Sequence, residues 1–444
     1  MTVPRTVPAL GKPRTAKLPT VADRQLDNGL RVLAVRRPGV PLVELRLRVP
    51  FAGPSGKAGG DHVARAQLLS DTLLSGTDRR DASQIAVDLQ SLGGQLSASA
   101  DADRLGISGS VLSSGLGGLL ELLAELLTSA SYPKQLVVAE RDRLVQELAI
   151  HRSQASVIAR EALLHRMYGE HPYGRELPTA ESVAEVKPSQ LRTLHDKRIV
   201  PAGSILTVVG DVQPAKVVAQ IEAALAAWTA TSKAGRIPKL PTPVPGAALL
   251  LDRPGAAQTT IRMAGPAPAR TSPDYAAASL ASMVFGGYFS SRWTANIRED
   301  KGYTYGGHSV FEHPPAGSRI SVSVDVATDV TAPAVLETLY ELGRMATVPV
   351  GQEELDRARR YAIGSLQLGT ASQAGLASMI SMLAGADLGV DYLREFPRQL
   401  QAAGIDDVQA AAAAVIAPTR LTTVLVGDVA TVADSLGALF PLER

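Results

Sequence analysis

The 444-residue sequence contains no cysteine. This absence excludes disulfides, thiolate metal ligands and a cysteine nucleophile, and it leaves the redox compartment open. No apolar run reaches the roughly 20 residues of a membrane-spanning helix, because charged residues interrupt each candidate. The 45 Lys and Arg residues nearly balance the 43 Asp and Glu residues, for a formal net charge of +2. The overall charge therefore predicts no nucleic-acid partner.

The N-terminal segment, residues 1–20, carries four basic residues, three prolines before residue 14 and no acidic residue. It also lacks the apolar stretch of about 7–15 residues that a signal peptide requires. We predict a basic, proline-rich tail over residues 1–22 and a cytoplasmic protein, unless a leader has been trimmed. The remaining chain is long enough for two to four domains of roughly 100–200 residues each.

Two similar segments occur near the middle and near the end of the chain. Residues 200–212 read VPAGSILTVVGDV, and residues 417–429 read APTRLTTVLVGDV. Each is a β-branched run that ends at Gly-Asp, with a helical pattern before and after it. The repeat predicts a duplicated helix–strand–helix unit, and the alternative is a chance similarity between two short valine-rich strands.

A proline-rich stretch separates the two copies. Residues 231–246 contain four prolines, which suits an extended linker. We therefore predict an N-terminal domain over residues 23–230 and a C-terminal domain over 247–444. Strands and helices occur in runs in both halves, so the expected fold class is α+β, with a mostly antiparallel sheet covered by helices in each domain.

Histidine placement gives little support for a metal site. None of the seven histidines has a partner at the i, i+4 spacing that places two imidazoles on one helix face. His308 and His313 lie five residues apart beside two prolines. A metal site there stays open, but a surface or packing role is favoured.

Five stretches, in order, resemble the pitrilysin family of zinc peptidases, which includes insulinase and the mitochondrial processing peptidase. Its bacterial two-domain members are the most similar. The resemblance implies a clamshell half built from two homologous domains. The stretches are LDNGLRVLAV (26–35), LLSGT (73–77), HPYGRELPTAESV (171–183), the Val-Gly-Asp-Val strand (209–212) and GGYFSSRWTANIREDKGYTY (286–305).

The resemblance implies a zinc motif, His-x-x-Glu-His, just before Leu-x-x-Gly-Thr. In this chain those positions hold Gln67, Ser70 and Asp71. Gln67 is a poor neutral ligand, Ser70 cannot act as a general base at neutral pH, and one carboxylate does not make a zinc site. We predict a degenerate motif that binds no metal.

The third zinc ligand implied by the resemblance is a glutamate in a segment like AERDRLVQELAI. Glu140 and Glu147 stand at its two acidic positions. Without imidazoles opposite them, we expect a solvated or hydrogen-bonded helix face rather than a ligand. A different metal centre built from Asp71 and Glu147 is a minor alternative.

The second half keeps another motif of the family. Arg298 and Tyr305 stand seven residues apart around Gly302, which suits the left-handed position that ends a helix. The resemblance implies that they bind the substrate backbone and the oxyanion of the tetrahedral intermediate. The alternative is that Arg298 caps its helix and that Tyr305 packs in a strand beginning there. Gly286 and Gly287 resemble the glycines that precede this helix in the family, and we assign them to substrate binding.

Loss of the zinc motif together with retention of the Arg–Tyr motif predicts a function. In this family, labour is sometimes divided between a zinc-bearing and a zinc-free subunit. We predict that this chain is the zinc-free subunit of a heterodimeric metallopeptidase that cleaves unfolded peptides, inactive alone, with zinc in the partner. The alternatives are a catalytically dead structural protein, like members that became core subunits of a respiratory complex, and a homodimeric peptide-binding chamber.

Overall fold

The computed structural model describes residues 19–229 and 232–444. We refer to residues 19–229 as the first half. Its elements are β1 (Val21–Gln25), β2 (Arg31–Arg36), β3 (Leu42–Pro50), α1 (Lys57–Thr72), α2 (Ala82–Ser91), β4 (Gln95–Ala100), β5 (Arg104–Leu112), α3 (Leu116–Ser129), α4 (Lys134–His151), α5 (Ala155–Tyr168), α6 (Ala180–Ala184), α7 (Pro188–Arg198), β6 (Ile205–Gly210) and α8 (Pro214–Ala224).

The second half, residues 247–444, repeats this pattern of strands and helices. Its elements are β7 (Ala248–Asp252), β8 (Gln258–Ala267), α9 (Tyr275–Ser282), α10 (Arg292–Thr294), β9 (Gly307–Glu312), β10 (Ser318–Ala327), α11 (Thr331–Thr347), α12 (Gln352–Gly369), α13 (Gln373–Ala384), α14 (Tyr392–Ala402), α15 (Ile405–Val415), β11 (Thr422–Gly427), α16 (Val429–Gly437) and β12 (Leu442–Glu443). Helices α9 and α10 continue into π-helical turns at Met283–Gly287 and Ala295–Asp300.

Each half contains one six-stranded sheet, and five strands of the two sheets follow the same order, whereas the sixth is the first strand of the chain in one sheet and the last in the other. The orders are β1-β2-β6-β3-β5-β4 and β12-β7-β11-β8-β10-β9. The pairs β2–β6, β7–β11 and β7–β12 are parallel, and the other pairs are antiparallel. The predicted α+β class with two homologous, mostly antiparallel domains is therefore confirmed, and both sheets are mixed.

The repeated Gly-Asp segments form β6 and β11, which occupy matching central positions in the two sheets. A Cβ atom at Gly210 would lie 2.3 Å from the carbonyl oxygen of Leu42 on the neighbouring strand, and one at Gly427 would lie 2.6 Å from Thr259 Oγ1. The approach of a neighbouring strand therefore favours glycine at both strand ends, through its backbone at Gly210 and through the Thr259 side chain at Gly427. The same packing constraint explains why the motif recurs.

One helix from each half packs on the sheet of the other half. Helix α5 lies on β8 and β11, and helix α13 lies on β3 and β6. Their apolar faces complete two buried clusters that join the halves. Leu163 and Leu164 of α5 belong to the same cluster as Val424 of β11. Leu376 and Ile380 of α13 belong to the cluster that contains Leu33 and Val35 of β2 and Val209 of β6.

The predicted linker is docked on the protein in its described part. Residues 232–246 form no helix or strand, but Ile237 and Leu240 pack against the cluster around α5. The ring Nε2 of His171 lies 3.1 Å from the carbonyl oxygen of Pro238. Most of the predicted tail lies outside the described residues, and β1 begins at Val21, inside the predicted range.

The strand expected to begin at Tyr305 begins at Gly307 instead. Thr304 Oγ1 donates to the Asp325 carbonyl at 2.7 Å and accepts from the Gly306 amide at 3.1 Å. These bonds hold the segment as a turn and delay the start of the strand. Within residues 19–229 and 232–444, no helix combines the length and apolarity that a bilayer span requires.

Candidate functional site

The three degenerate motif positions lie on the last turns of α1 and bond to one another. Gln67 Nε2 donates to both carboxylate oxygens of Asp71, at 3.0 and 3.1 Å. Ser70 is buried, and its Oγ donates to the Gln67 carbonyl at 2.8 Å. The i, i+4 spacing of Gln67 and Asp71 places both on one helix face and accounts for their contact.

Asp71 is partly buried, and its surroundings shift the pKa of its carboxyl group in opposite directions. Burial raises the pKa of its carboxyl group above the usual value, the Gln67 hydrogen bond lowers it, and the neighbouring Glu140 raises it. The result is a raised pKa. To bind a metal ion, this carboxylate would have to give up the hydrogen bonds from the Gln67 amide.

The two glutamates of α4 are paired with an arginine on their own helix. Arg143 Nε donates to Glu140 Oε2 at 2.9 Å. The same guanidinium also bonds to Glu147, one turn further along the helix. Both glutamates are therefore engaged with one guanidinium on a partly exposed helix face.

This donor set does not fit a zinc ion. Zinc sites in proteins use three or four deprotonated nitrogen, sulfur or carboxylate ligands that converge on one point. Across residues 19–229 and 232–444, no three His, Cys, Asp or Glu side chains are grouped so as to hold a metal ion. The α1 and α4 positions instead present an amide, a hydroxyl, a hydrogen-bonded carboxylate and two arginine-paired glutamates.

Arg298 lies in the π-helical turn that follows α10, and its side chain stacks on an aromatic ring. Its Cζ is 3.7 Å from the ring centroid of Phe289, whose side chain is 60% exposed. Its Nη1 lies 3.7 Å from the Glu299 carboxylate and has no hydrogen-bond partner among the described residues. The guanidinium is thus oriented by Phe289 and retains an unused donor.

Backbone groups satisfy the helix end beside Arg298. The amide of Lys301 donates to the Asn296 carbonyl at 3.0 Å, and that of Tyr303 donates to the Ile297 carbonyl at 2.8 Å. Gly302 has φ +67°, the left-handed conformation that the sequence predicts. No bond from the Arg298 side chain to these carbonyls is present in this turn, and Tyr305 does not pack in the sheet, because it is 97% exposed.

Gly286 and Gly287 lie in the π-helical turn after α9, where both have a packing function. A Cβ atom at Gly286 would lie 2.9 Å from Trp293 Cε3 and 3.2 Å from Ser309 Cβ. One at Gly287 would lie 2.8 Å from Met283 Sδ. The close approach of the buried Trp293 explains Gly286 without a ligand.

A cavity of about 950 Å³ lies between the two halves. Gln67 lines this cavity, whereas Arg298, Tyr305, Gly286 and Gly287 do not. The structure therefore brings Gln67, Ser70 and Asp71 together, and Arg298 and Tyr305 are not part of the wall of this cavity.

Charged residues in the wall of this cavity form a cluster that the sequence did not predict. Arg160 and Arg319 both pair with Glu176 and Glu312, across the boundary between the halves. Arg319 is only 2% exposed. Only the buried position of an arginine in an alternating strand, SRISVSV, hints at such a partner, and the sequence gives no sign of which carboxylates supply it.

Arg143 is a residue that sequence reasoning missed although a signal was present. It stands three residues after Glu140 and four before Glu147, the spacings that bring side chains together on a helix. For His308 and His313, the other candidate metal ligands, the sequence spacing was less informative. His313 contacts Ser318 Oγ at 2.8 Å and the Tyr275 hydroxyl at 3.2 Å, so both ring nitrogens are engaged within the protein.

Family models match most of the chain. A model described as insulinase, peptidase family M16, matches residues 65–181, and one described as the peptidase M16 inactive domain matches residues 185–361. The chain is 27% identical over 303 residues to an uncharacterised zinc protease of Mycobacterium leprae, covering 67% of each chain. It is 25% identical over 397 residues to one of Mycobacterium tuberculosis, covering 87% of this chain and 89% of the relative.

Solved structures share the fold over nearly the whole chain. A peptidase M16 inactive domain from Pseudomonas fluorescens superposes with a TM-score of 0.84 at 24% identity, covering 92% of this chain and 98% of its own. A protease from Helicobacter pylori gives 0.82 at 19% identity, covering 93% and 100%. With the two family models adjoining across both halves, the chain belongs to the M16 peptidase family.

Proposed function

We propose that this chain is the zinc-free subunit of a heterodimeric zinc metallopeptidase that cleaves unfolded peptides. A homologous partner holds the zinc ion, and this chain contributes Arg298 and Tyr305 to the partner's site. The main observation in support of this proposal is the contrast between the degenerate zinc positions and the Arg–Tyr motif. The side chains at the degenerate zinc positions are engaged in hydrogen bonds with one another or with Arg143, whereas Arg298 Nη1 makes no hydrogen bond within the described residues and Tyr305 is exposed.

The chemistry of the two residues suits stabilisation of developing negative charge. An arginine stays charged at any working pH and offers a rigid fork of donors, and a tyrosine hydroxyl adds another donor. Zinc in the partner would supply Lewis acidity and an activated water. One oriented donor to an oxyanion typically contributes a factor of about 10²–10³ in kcat.

The position of the motif supports action on another chain. Arg298 and Tyr305 do not line the cavity between the two halves of this molecule. Both lie on the segment that joins α10 to β9, and the side chain of Tyr305 is almost completely exposed. A docked partner can therefore reach the Tyr305 hydroxyl without rearrangement of the two halves, whereas the Nη1 atom of Arg298 is buried and must be uncovered by the partner or the substrate.

The sheets offer a route for peptide binding. Strands β4 and β9 are terminal strands of their sheets, so each has one edge that no strand of the described residues covers. An extended peptide adds to such an edge through main-chain hydrogen bonds and needs no particular side chains. Gly286 borders β9 through its approach to Ser309, and its proposed substrate role concerns this edge.

A non-catalytic, peptide-binding or structural scaffold is the second candidate. The specific observation in its favour is that Arg298 and Tyr305 do not line the cavity between the halves. Under this alternative, the chain binds peptides or a partner, and Arg298 has no effect on any cleavage step. The cytoplasmic location stays a prediction in both cases.

Co-expression with the zinc-bearing M16 homologue of the same genome, the one carrying His-x-x-Glu-His, tests the proposal. We expect a 1:1 complex on size-exclusion chromatography, about one zinc per complex, and cleavage of a quenched fluorescent unfolded peptide by the pair only. Tight binding of about one zinc by this chain alone would contradict the zinc-free assignment. A complex that cleaves no faster than the partner alone would favour the scaffold.

A further inference from the structure

Arg143 occupies the centre of the acidic group on α4. It follows Glu140 by three residues and precedes Glu147 by four, so the three side chains share one helix face. Its guanidinium bonds to both carboxylates, with Nε 2.9 Å from Glu140 Oε2. Among the residues that the structure describes, these are the two carboxylates to which Arg143 donates hydrogen bonds.

The same guanidinium acts on a third carboxylate from the neighbouring helix. Helix α1 packs against α4 and carries Asp71. The positive charge of Arg143 lowers the pKa of Asp71, although burial outweighs this effect. One guanidinium therefore lies within electrostatic reach of all three acidic groups at the degenerate zinc positions.

We propose that Arg143 is a fixed cation that engages Glu140 and Glu147 and so keeps divalent metal ions from this site, independently of the substitutions in α1. The inference goes beyond the proposed function, because it concerns this chain alone and holds with or without a partner. It predicts two independent causes for the absence of metal binding: the loss of the ligands on α1 and the positive charge of Arg143.

Two physical effects support this role. A metal ion needs the lone pairs of its carboxylate ligands, and both glutamates use theirs to accept bonds from the guanidinium. A divalent ion held by these carboxylates would also lie close to the positive charge of Arg143, and the repulsion would weaken its binding. If Arg143 is only an ordinary surface ion-pair partner, its removal leaves metal affinity unchanged.

The test restores the missing ligands and then removes the arginine. In the background Gln67→His, Ser70→Glu, Asp71→His, we expect weak zinc binding while Arg143 is present. Adding Arg143→Leu should tighten zinc binding by about 10-fold or more, because it removes a like charge close to the ion, and give about one zinc per chain. Zinc content after equilibrium dialysis and competition with a chromogenic chelator measure both quantities.

Arg141→Leu in the same background is the matched control. Arg141 is two residues away on α4 and bonds only to its neighbour Asp142 among the described side chains. It should leave zinc affinity unchanged. Circular dichroism and the thermal midpoint verify folding, and Arg143→Gln, which removes the charge but keeps polar atoms, replaces Arg143→Leu if that variant unfolds.

Two results would overturn the proposal. Either the restored background binds zinc equally tightly with and without Arg143, or both folded proteins bind none, which would place the exclusion elsewhere. Because the measurement uses this chain alone, absence of a heterodimer would not affect it.

Discussion

The Arg160 guanidinium of α5 donates to both carboxylate oxygens of Glu312, at 3.3 and 3.0 Å, across the boundary between the halves. Glu312 also accepts from Ser321 Oγ at 2.6 Å and from Arg319 at 2.5 Å. Arg319 is almost fully buried, and its Nε and Nη1 have no hydrogen-bond partner among the described residues. The buried positive charge of Arg319 is therefore balanced by two carboxylates, those of Glu312 and Glu176.

We expect Glu312→Gln to destabilise the chain. The change keeps the shape of the side chain but removes the negative charge beside a buried guanidinium, which typically costs about 3 kcal/mol in the free energy of unfolding. Asp325→Asn is the matched control, because its partner Arg262 is at the sheet surface and such pairs contribute about 1 kcal/mol or less. Urea unfolding followed by circular dichroism measures both, and equal small shifts would show that the buried cluster is not a stabilising link.

Three buried histidines and the partly buried His313 predict that acid destabilises the protein. Burial lowers the pKa of each imidazole, and that of His313 reaches about 3. Unfolded histidine titrates near 6.5, so below that pH the unfolded chain binds more protons than the folded chain. The free energy of unfolding then falls as pH drops, by at most about 1.4 kcal/mol per pH unit for each histidine. The residues are His62, His171, His195 and His313.

Glu312 extends this loss to lower pH. Burial by itself would raise its pKa, but the two arginines outweigh burial and lower it to about 2. Its contribution is present above pH 4.5 and is lost as pH falls toward 2. Asp71 and Asp103, whose pKa burial raises, act with the opposite sign in part of this range.

Calorimetry between pH 8 and pH 4 measures the net result. We expect the thermal midpoint to fall steadily below pH 6.5. His313→Gln should make this decline shallower, with the exposed His308→Gln as the matched control. A midpoint that stays constant or rises from pH 7 to pH 5 would contradict the assignment of neutral buried histidines.

Local sequence patterns predicted the elements well, because helix and strand periodicity depends on nearby residues. The Gly-Asp repeat identified β6 and β11, and the zinc-motif spacing placed Gln67 and Asp71 on one helix face. The contact between Arg143 and its two glutamates follows from the same spacing rule. These parts of the site were therefore readable from the sequence.

Contacts between residues that are far apart in the sequence could not be predicted in this way. An apolar helix face does not specify which sheet it covers, so nothing local indicated that α5 packs on the second sheet and α13 on the first. Arg160 and Glu312 meet across a similarly large sequence separation. The strand start at Tyr305 was predicted wrongly because hydrogen bonds of Thr304 to distant and local backbone groups favour a turn.

Gly286→Ala separates a packing role from a substrate role. The added Cβ would lie 2.9 Å from the buried Trp293, and overpacking of this kind typically costs about 1–3 kcal/mol. Gly343→Ala in α11 is the control, since its Cβ meets no atom within 4 Å and alanine favours a helix by about 1 kcal/mol. Unfolding and peptide affinity are measured on both, and lost affinity at unchanged stability would favour direct substrate contact by Gly286.

The Arg–Tyr proposal predicts an effect on cleavage without an effect on folding. In the reconstituted pair, Arg298→Ala should lower kcat by about 10²-fold or more, because the removed donor acts on charge that develops in the transition state. Tyr305→Phe removes only an exposed hydroxyl and should also lower kcat. Peptide cleavage by the pair, with complex formation verified by size-exclusion chromatography, provides the measurement.

The choice of controls decides between a donor role and a scaffold role. Tyr340→Phe removes a hydroxyl from another exposed tyrosine, and Gln67→Ala changes a degenerate motif position, so both should leave kcat nearly unchanged. A scaffold predicts instead that Arg298→Ala has no effect on cleavage per folded complex, because the guanidinium then serves only to stack on Phe289 and to lie beside Glu299. Stacking at an exposed site contributes about 0.5–1 kcal/mol, so that loss would appear in the thermal midpoint rather than in kcat. Near-wild-type kcat for both Arg298→Ala and Tyr305→Phe would therefore exclude the donor role and leave the scaffold as the better description.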